Sequence, residues 1–219
     1  MAPARTVLFL GKAGDELVAR GAAHLAVHGL RADVHLGRRG EPFPAVGDRS
    51  WDYLISYLSP WIVPAALLAR ARVAAINFHP GPPEYPGIGC TNFAIYEGAD
   101  IYGASAHHMA EQVDAGPLIR VARFPVHETD TVWSLTQRAY AHLAVVFYDV
   151  ADCLLADRPL PQSPERWTRR PFRRAELDAL CRLTPDMSDE EIRRRVRATA
   201  FPSYPAASFE PAAEAAHRP

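Results

Sequence analysis

The sequence has too few cysteines for a disulfide framework. It holds three, Cys90, Cys153 and Cys181, an odd set at wide spacing that suits neither paired bridges nor a paired-thiol zinc site. They read as reduced thiols, as expected of a cytoplasmic protein. Long apolar runs are also missing. Thr6 to Leu10 is apolar, but it is too short for a secretion-signal core and passes at once into Gly11-Lys12 and Asp15-Glu16. No later stretch approaches the roughly 20 apolar residues of a membrane span, so no membrane partner is expected. Neither sign of charge is in excess: 24 Lys plus Arg stand against 25 Asp plus Glu. Without a net field to attract a polyanion, nucleic acid is not expected either, and a small molecule is the better default partner. The dinucleotide Gly-x-Gly-x-x-Gly pattern is absent, and so is any internal repeat.

What is present suffices for an ordinary core. With 219 residues, 48% of them hydrophobic, the length favours one domain with a small appendage. Thr6 to Leu10 reads as a strand closed by Gly11. The stretch after it puts Val18, Ala22, Leu25 and Ala26 on one helical face. Ala32 to Leu36 is a second strand, Gly37 to Asp48 a loop, and Asp52–Tyr57 and Ala74–Phe78 two more strands around a helical segment with Pro64 in its first turn. Alternating strands and helices predict an α/β fold, a Rossmann-like, mostly parallel sheet with helices on both faces.

Gly103–Met109 and Leu118–Phe124 read as two strands that extend the sheet beyond its parallel part, joined by an acidic turn from Glu111 to Gly116. Val132, Leu135, Ala139, Leu143, Val146, Phe147, Val150 and Leu154 recur at spacings of three and four, which predicts a helix over Thr131 to Ala156. The main domain is therefore 1–156, with a C-terminal extension over 157–219. Pro159, Pro161 and Pro164 open that extension, and the basic segment Arg166 to Arg174 reads as an irregular connector. Ser188 and Glu191 predict a capping box before a short helix, and the Ala-rich end after Glu210 should fray.

Two clusters carry candidate chemistry. In Asn77-Phe78-His79-Pro80 a strand runs into a loop stiffened by four prolines, Pro80, Pro82, Pro83 and Pro86. Ligands of open α/β sheets gather at the carboxyl ends of strands, and residues two apart on a strand point the same way. An amide and an imidazole converging there could stabilise an oxyanion and move a proton. The plainer alternative, open on spacing alone, makes Asn77 a turn cap and His79 a surface residue. The second cluster runs from His107 to Pro117 and places Asp114 before a Gly-Pro turn, where an acid is more often a turn residue. His107 and His108, being adjacent on a strand, face opposite sides and cannot easily share an ion, so no metal is expected.

Together, Asn77-Phe78-His79-Pro80, the Pro-rich loop and Asp114-Ala115-Gly116-Pro117 resemble the signature of the folate-dependent formyltransferases. The resemblance implies 10-formyltetrahydrofolate as formyl donor and a small-molecule amine as acceptor. By that resemblance Asn77 and His79 contact the formyl oxygen, with Asp114 beside them. Ser56, Tyr57 and Leu58 belong to a segment whose backbone holds the pterin ring, and His107, Met109, Val113 and Gly116 to the loop that closes over it. Glu84, Tyr85, Asn92 and Phe93 are candidates for the acceptor side, or simply loop and helix-start residues. Asp15 and Glu16 sit where relatives acting on a ribonucleotide bind phosphate, and they oppose an anion. Little chain follows Ala156 to hold a tRNA-binding domain. Both departures favour a small amine, such as a nucleotide-linked amino sugar. Hydrolysis of the formyl donor, and a catalytically silent folate- or nucleotide-binding module, are the rival readings. A homodimer is left open.

Overall fold

The computed structural model describes residues 5–209; the tail after Glu210 lies outside the described residues. Six strands form one sheet in the order β2-β1-β3-β4-β5-β6. They are β1 (Thr6–Lys12), β2 (Arg31–Gly37), β3 (Trp51–Tyr57), β4 (Ala71–His79), β5 (Ile101–His108) and β6 (Leu118–Pro125). The first four run parallel, while β5 is antiparallel to β4 and β6 to β5. The mixed, Rossmann-like α/β sheet is thus the one expected, with each strand one to three residues longer at one or both ends, except that β5 stops at His108, one residue before the expected Met109.

Strand β1 shows why the pattern reads so clearly. Val7, Leu8, Phe9 and Leu10 are all fully buried, as an unbroken apolar run requires when both faces of a strand are covered. Val7 and Phe9 join a cluster with helices α1 (Glu16–Val27) and α4 (Val132–Leu155), whereas Leu8 and Leu10 join Trp51, Leu54 and Leu67 on the opposite face. That second face is covered more lightly, by the one-turn helix α2 (Ala65–Leu68) and by loop side chains such as Phe43 and Trp61.

Helix α4 is the principal brace. Thr131 accepts from the Ser134 N–H and Ser134 answers on the Thr131 N–H, a complete capping box. Its 24 residues extend about 36 Å, enough to serve two clusters. Leu143, Val146, Phe147, Val150 and Leu154 pack on the sheet with α1. Val132, Leu135 and Ala139 pack instead with α3 (Cys90–Glu97), α5 (Arg174–Leu180) and α6 (Asp189–Thr199).

Several local expectations need correction. Ala26 faces solvent, and Gly21 takes its place on the buried face of α1. A side chain there would meet Phe147 and Tyr57 at 3.0–3.2 Å. Helix α5 was not anticipated; it forms because Glu176 accepts from the Arg173 N–H at 2.9 Å while Leu177 and Leu180 bury. The Ser188 cap of α6 is one-sided, because Glu191 turns to Tyr96 Oη (2.8 Å) and Arg195 Nε (2.6 Å) instead of the Ser188 N–H. Within the basic segment, Arg169 pairs with Glu97 at 2.7 Å and Arg170 with Glu176 at 2.8 Å.

Candidate active site

The site is built at the carboxyl ends of β3 and β4. Period-two alternation sends Ile76 and Phe78 of β4 into the core beside α4, leaving Asn77 and His79 to project together on the other face. The antiparallel register then sets His107 opposite Asn77 and Ser105 opposite His79. Ser105 donates its hydroxyl to Gly81 O, fixing the start of the Pro-rich loop. The β5–β6 turn brings Asp114 back over the strand ends. Its φ of 45° is left-handed, a conformation an Asp tolerates better than most side chains. Gly116 closes the same turn where a Cβ would lie 1.9 Å from His108 O, so no side chain fits.

One carboxylate organises the cluster. Asp114 Oδ1 lies 3.1 Å from His107 Nε2 and accepts from Asn77 Nδ2 at 3.4 Å. Oδ2 accepts the Gly87 N–H at 2.8 Å and lies 3.3 Å from His79 Nδ1. His79 Nε2 donates to Tyr85 O at 2.9 Å, and His107 Nδ1 to His108 O at 2.9 Å. Both nitrogens of His79 therefore face oxygens, Nε2 through its hydrogen bond to Tyr85 O and Nδ1 through the contact with the carboxylate. His79, His107 and Asp114 are buried, whereas Asn77 is only partly so and forms the open side of the cluster.

Burial by itself would push the Asp114 carboxyl up. It is outweighed by the positive field of His79, the hydrogen bond and charge of His107 and the Gly87 N–H, so that the group is held well below the ordinary carboxylate range. Asp114 is thus a fixed negative charge in a buried position. The arrangement can present the Asn77 amide and move a proton along His79.

The remaining residues singled out in the sequence divide by strand parity. Ser56 pairs in register with Asn77 and shares its face. Tyr57 turns the other way and stacks on Phe147 at 4.8 Å, its hydroxyl buried without a hydrogen-bond partner among the described residues. Only the Tyr57 backbone, with that of Leu58 (φ 51°), lies toward the strand end. The Met109 N–H donates to Ala75 O at 2.8 Å, and its side chain packs against the cluster that holds Leu8, Leu10 and Trp51; Val113 is exposed. On the acceptor side, Glu84 holds Arg123 at 2.9 Å and Asn92 donates to Ala198 O at 2.8 Å. Phe93 stacks on Phe172 at 3.8 Å, and Tyr85 is buried with only its carbonyl on His79. These four side chains are engaged within the chain and are not gathered around Asn77.

Two members of the centre were not read as such. His107, which the family resemblance puts in the loop over the ligand, contacts the Asp114 carboxylate directly. Trp167 had no assignment; its indole donates to Gly116 O at 2.8 Å, and its ring stands edgewise to His107 (5.1 Å) and His79 (6.0 Å). The available signal was an aromatic residue inside an otherwise basic, Pro-flanked connector. Among the described residues, no group of three or more His, Cys, Asp or Glu side chains is placed to hold a metal ion, and no helix is long and apolar enough to cross a membrane.

A six-stranded Rossmann-like sheet with an Asn, two His and an Asp at its carboxyl edge defines the class, and comparison with known proteins names it. The formyl transferase family profile matches residues 53–148, a span containing Asn77, His79, His107 and Asp114. The chain belongs to the formyl transferase family. It is 31% identical over 150 residues to a methionyl-tRNA formyltransferase of Geobacillus thermodenitrificans, covering 67% of this chain and 46% of that protein. It is also 31% identical over 157 residues to a GDP-perosamine N-formyltransferase of Brucella melitensis, covering 71% and 60%. The chain thus spans about half the length of these relatives. The fold superposes on a sugar N-formyltransferase from a Shewanella species with TM-score 0.76 at 18% identity, over 93% of this chain and 91% of that one. It also superposes on an N-formyltransferase from Helicobacter canadensis in complex with folinic acid and dTDP-3-aminofucose, with TM-score 0.67 at 13% identity, over 90% and 80%.

Proposed function

We propose that the protein transfers the formyl group of 10-formyltetrahydrofolate to the amine of a small molecule, a nucleotide-linked amino sugar being the favoured acceptor. The observation that carries this reading is the buried Asp114 carboxylate contacted by His79, His107, Asn77 and the Gly87 N–H. Acyl transfer between nitrogens needs a donor for the developing oxyanion and a route for one proton. Asn77, on the open side, supplies the first. His79 paired with Asp114 supplies the second, carrying the proton lost by the attacking amine toward the departing folate nitrogen. His107 holds Asp114 from the side away from His79. Ser56, beside Asn77, and the backbone of Tyr57 and Leu58 lie where the pterin would be held, with the loop through Met109, Val113 and Gly116 opposite.

The division at 156 is part of the same proposal: 1–156 carries the chemistry, and 157–219 supplies the strap and the helices packed against it. The amino-sugar acceptor is supported by the relative that acts on GDP-perosamine and the structural likeness to sugar N-formyltransferases. The test is to incubate the protein with 10-formyltetrahydrofolate and a panel of nucleotide-linked amino sugars, simple amines and methionyl-tRNA, and to follow by mass the gain of one CO unit. Formylation of an amino sugar is the expected result. Exclusive formylation of methionyl-tRNA would replace the acceptor, and formate as the only product would identify a hydrolase.

A further inference from the structure

We propose that Trp167 is the roof of the reacting centre and decides whether an amine or water takes the formyl group. The proposal rests on the formyl-transfer reading above and adds a residue outside the segment matched by the family profile. The segment between α4 and α5 has no regular structure, yet it is tied down on both sides of Trp167. Ser163 N–H donates to Leu118 O at 2.9 Å, Thr168 N–H to Pro83 O at 3.2 Å and Phe172 N–H to Pro86 O at 2.9 Å, while Ile88 N–H returns a bond to Phe172 O at 3.1 Å. Arg123 reinforces the tie, gripping Glu165 on the strap and Glu84 on the Pro-rich loop. The strap thus directs its backbone donors to the loops of the site and carries its single Trp across them. At that position the indole N–H locks Gly116 O and the ring covers both imidazoles.

The chemistry makes such a cover necessary. In transfer, the acceptor nitrogen forms a bond to the formyl carbon, the bond from that carbon to the folate nitrogen breaks, and the amine proton passes to the folate nitrogen. In hydrolysis, a water oxygen forms the bond in place of the amine and the products are formate and the same folate. Both routes use His79 and Asp114, so these residues cannot discriminate between them. Discrimination requires that water be kept from the imidazole side while the acceptor enters past Asn77, the least buried member of the cluster. Trp167 covers the imidazole side. It is a positioning and specificity residue, not a proton carrier.

The test compares wild type, Trp167→Ala and Trp167→Phe supplied with 10-formyltetrahydrofolate and no acceptor. Formate release should rise by at least about tenfold in Trp167→Ala once water reaches the imidazoles, and by less in Trp167→Phe, which keeps a ring but loses the indole N–H. Folate binding, read from the melting shift with unreactive 5-formyltetrahydrofolate, should persist in all three. Trp167→Phe carries the test if the Ala variant does not fold. Formate release at or below the wild-type rate in folded, folate-binding variants would overturn the roof role and leave the formyltransferase reading standing. Absence of a folate-dependent melting shift in the wild type would overturn both.

Discussion

Replacing Asp114 with Asn isolates charge from shape. In the wild type its two oxygens receive His107 Nε2 at 3.1 Å, Asn77 Nδ2 at 3.4 Å, Gly87 N at 2.8 Å and His79 Nδ1 at 3.3 Å. An Asn offers one oxygen and one NH2. The Gly87 N–H is fixed by the backbone, so the oxygen must stay there, and the NH2 turns to His107 Nε2, which can accept it as a neutral ring. Asn77 then loses an acceptor, and His79 loses the carboxylate that balances a charge on its ring. At 3.3 Å that attraction is about 5 kcal/mol gross with an effective dielectric constant near 20, much of it offset by desolvation in the folded protein.

The expected net loss of stability is about 1–3 kcal/mol, the cost of one buried polar group left unpaired. Turnover should fall further, by about 10²–10⁴, the range for removing an acid–base partner, while the folate dissociation constant stays within roughly threefold, less than 1 kcal/mol. Combining Asp114→Asn with His79→Asn should cost much less than the product of the two separate losses, because the pair acts as one unit. Single-turnover rates and folate titrations on the two single variants and the double variant measure all three quantities. Turnover within threefold of wild type in a folded Asp114→Asn protein would remove the carboxylate from the mechanism.

The depressed pKa of Asp114 has its own pH signature. A carboxyl held below its ordinary value contributes stability above about pH 4, its unfolded range, and loses that contribution as pH falls through the folded value. The stability gap between wild type and Asp114→Asn in urea unfolding should therefore narrow as pH is lowered below about 4; a gap that widens there would contradict the assigned field. Gly87→Ala would put a Cβ at 2.4 Å from Phe172 O at a backbone φ of +88°, so it should lower stability by about 1–3 kcal/mol and, by shifting the Gly87 N–H, lower turnover as well; a variant with both intact would show that the strap is not held there. Tyr57→Phe removes a buried, unpartnered hydroxyl while keeping the stack on Phe147, so thermal unfolding should show stability unchanged or raised by about 1 kcal/mol, with folate affinity unaltered. A tenfold loss of affinity would mean that the Tyr57 side chain, not only its backbone, meets the ligand.

Which parts of the molecule were legible in the sequence follows from the range of the forces that make them. Strand β1 and helix α4 were readable because each declares itself through its own neighbours, one by an unbroken apolar run and the other by a stripe at three- and four-residue spacing. The common side of Asn77 and His79 needed only the strand repeat. The motif pairing them with Asp114 was enough to suggest the family. Helix α5 was not legible, because its seven residues have little periodicity of their own and are stabilised by burial against distant side chains. Glu191 satisfied a local capping rule on paper, yet Tyr96, 95 positions away in sequence, competes for its carboxylate.

The composition of the centre was decided by tertiary structure. His107 is 30 positions from Asn77 and faces it only through the antiparallel β4–β5 register, which no local pattern specifies. Trp167 lies 51 positions from the Gly116 carbonyl that fixes it, and strand parity, read across the sheet, turned Tyr57 into the core. The sequence by itself determined the strands, helices α1 and α4 and which residue types were available for chemistry, because those depend on spacing along the chain. Only the folded structure decided which of them share the Asp114 carboxylate and what shields them from water, because hydrogen bonds and dry packing depend on distance in space.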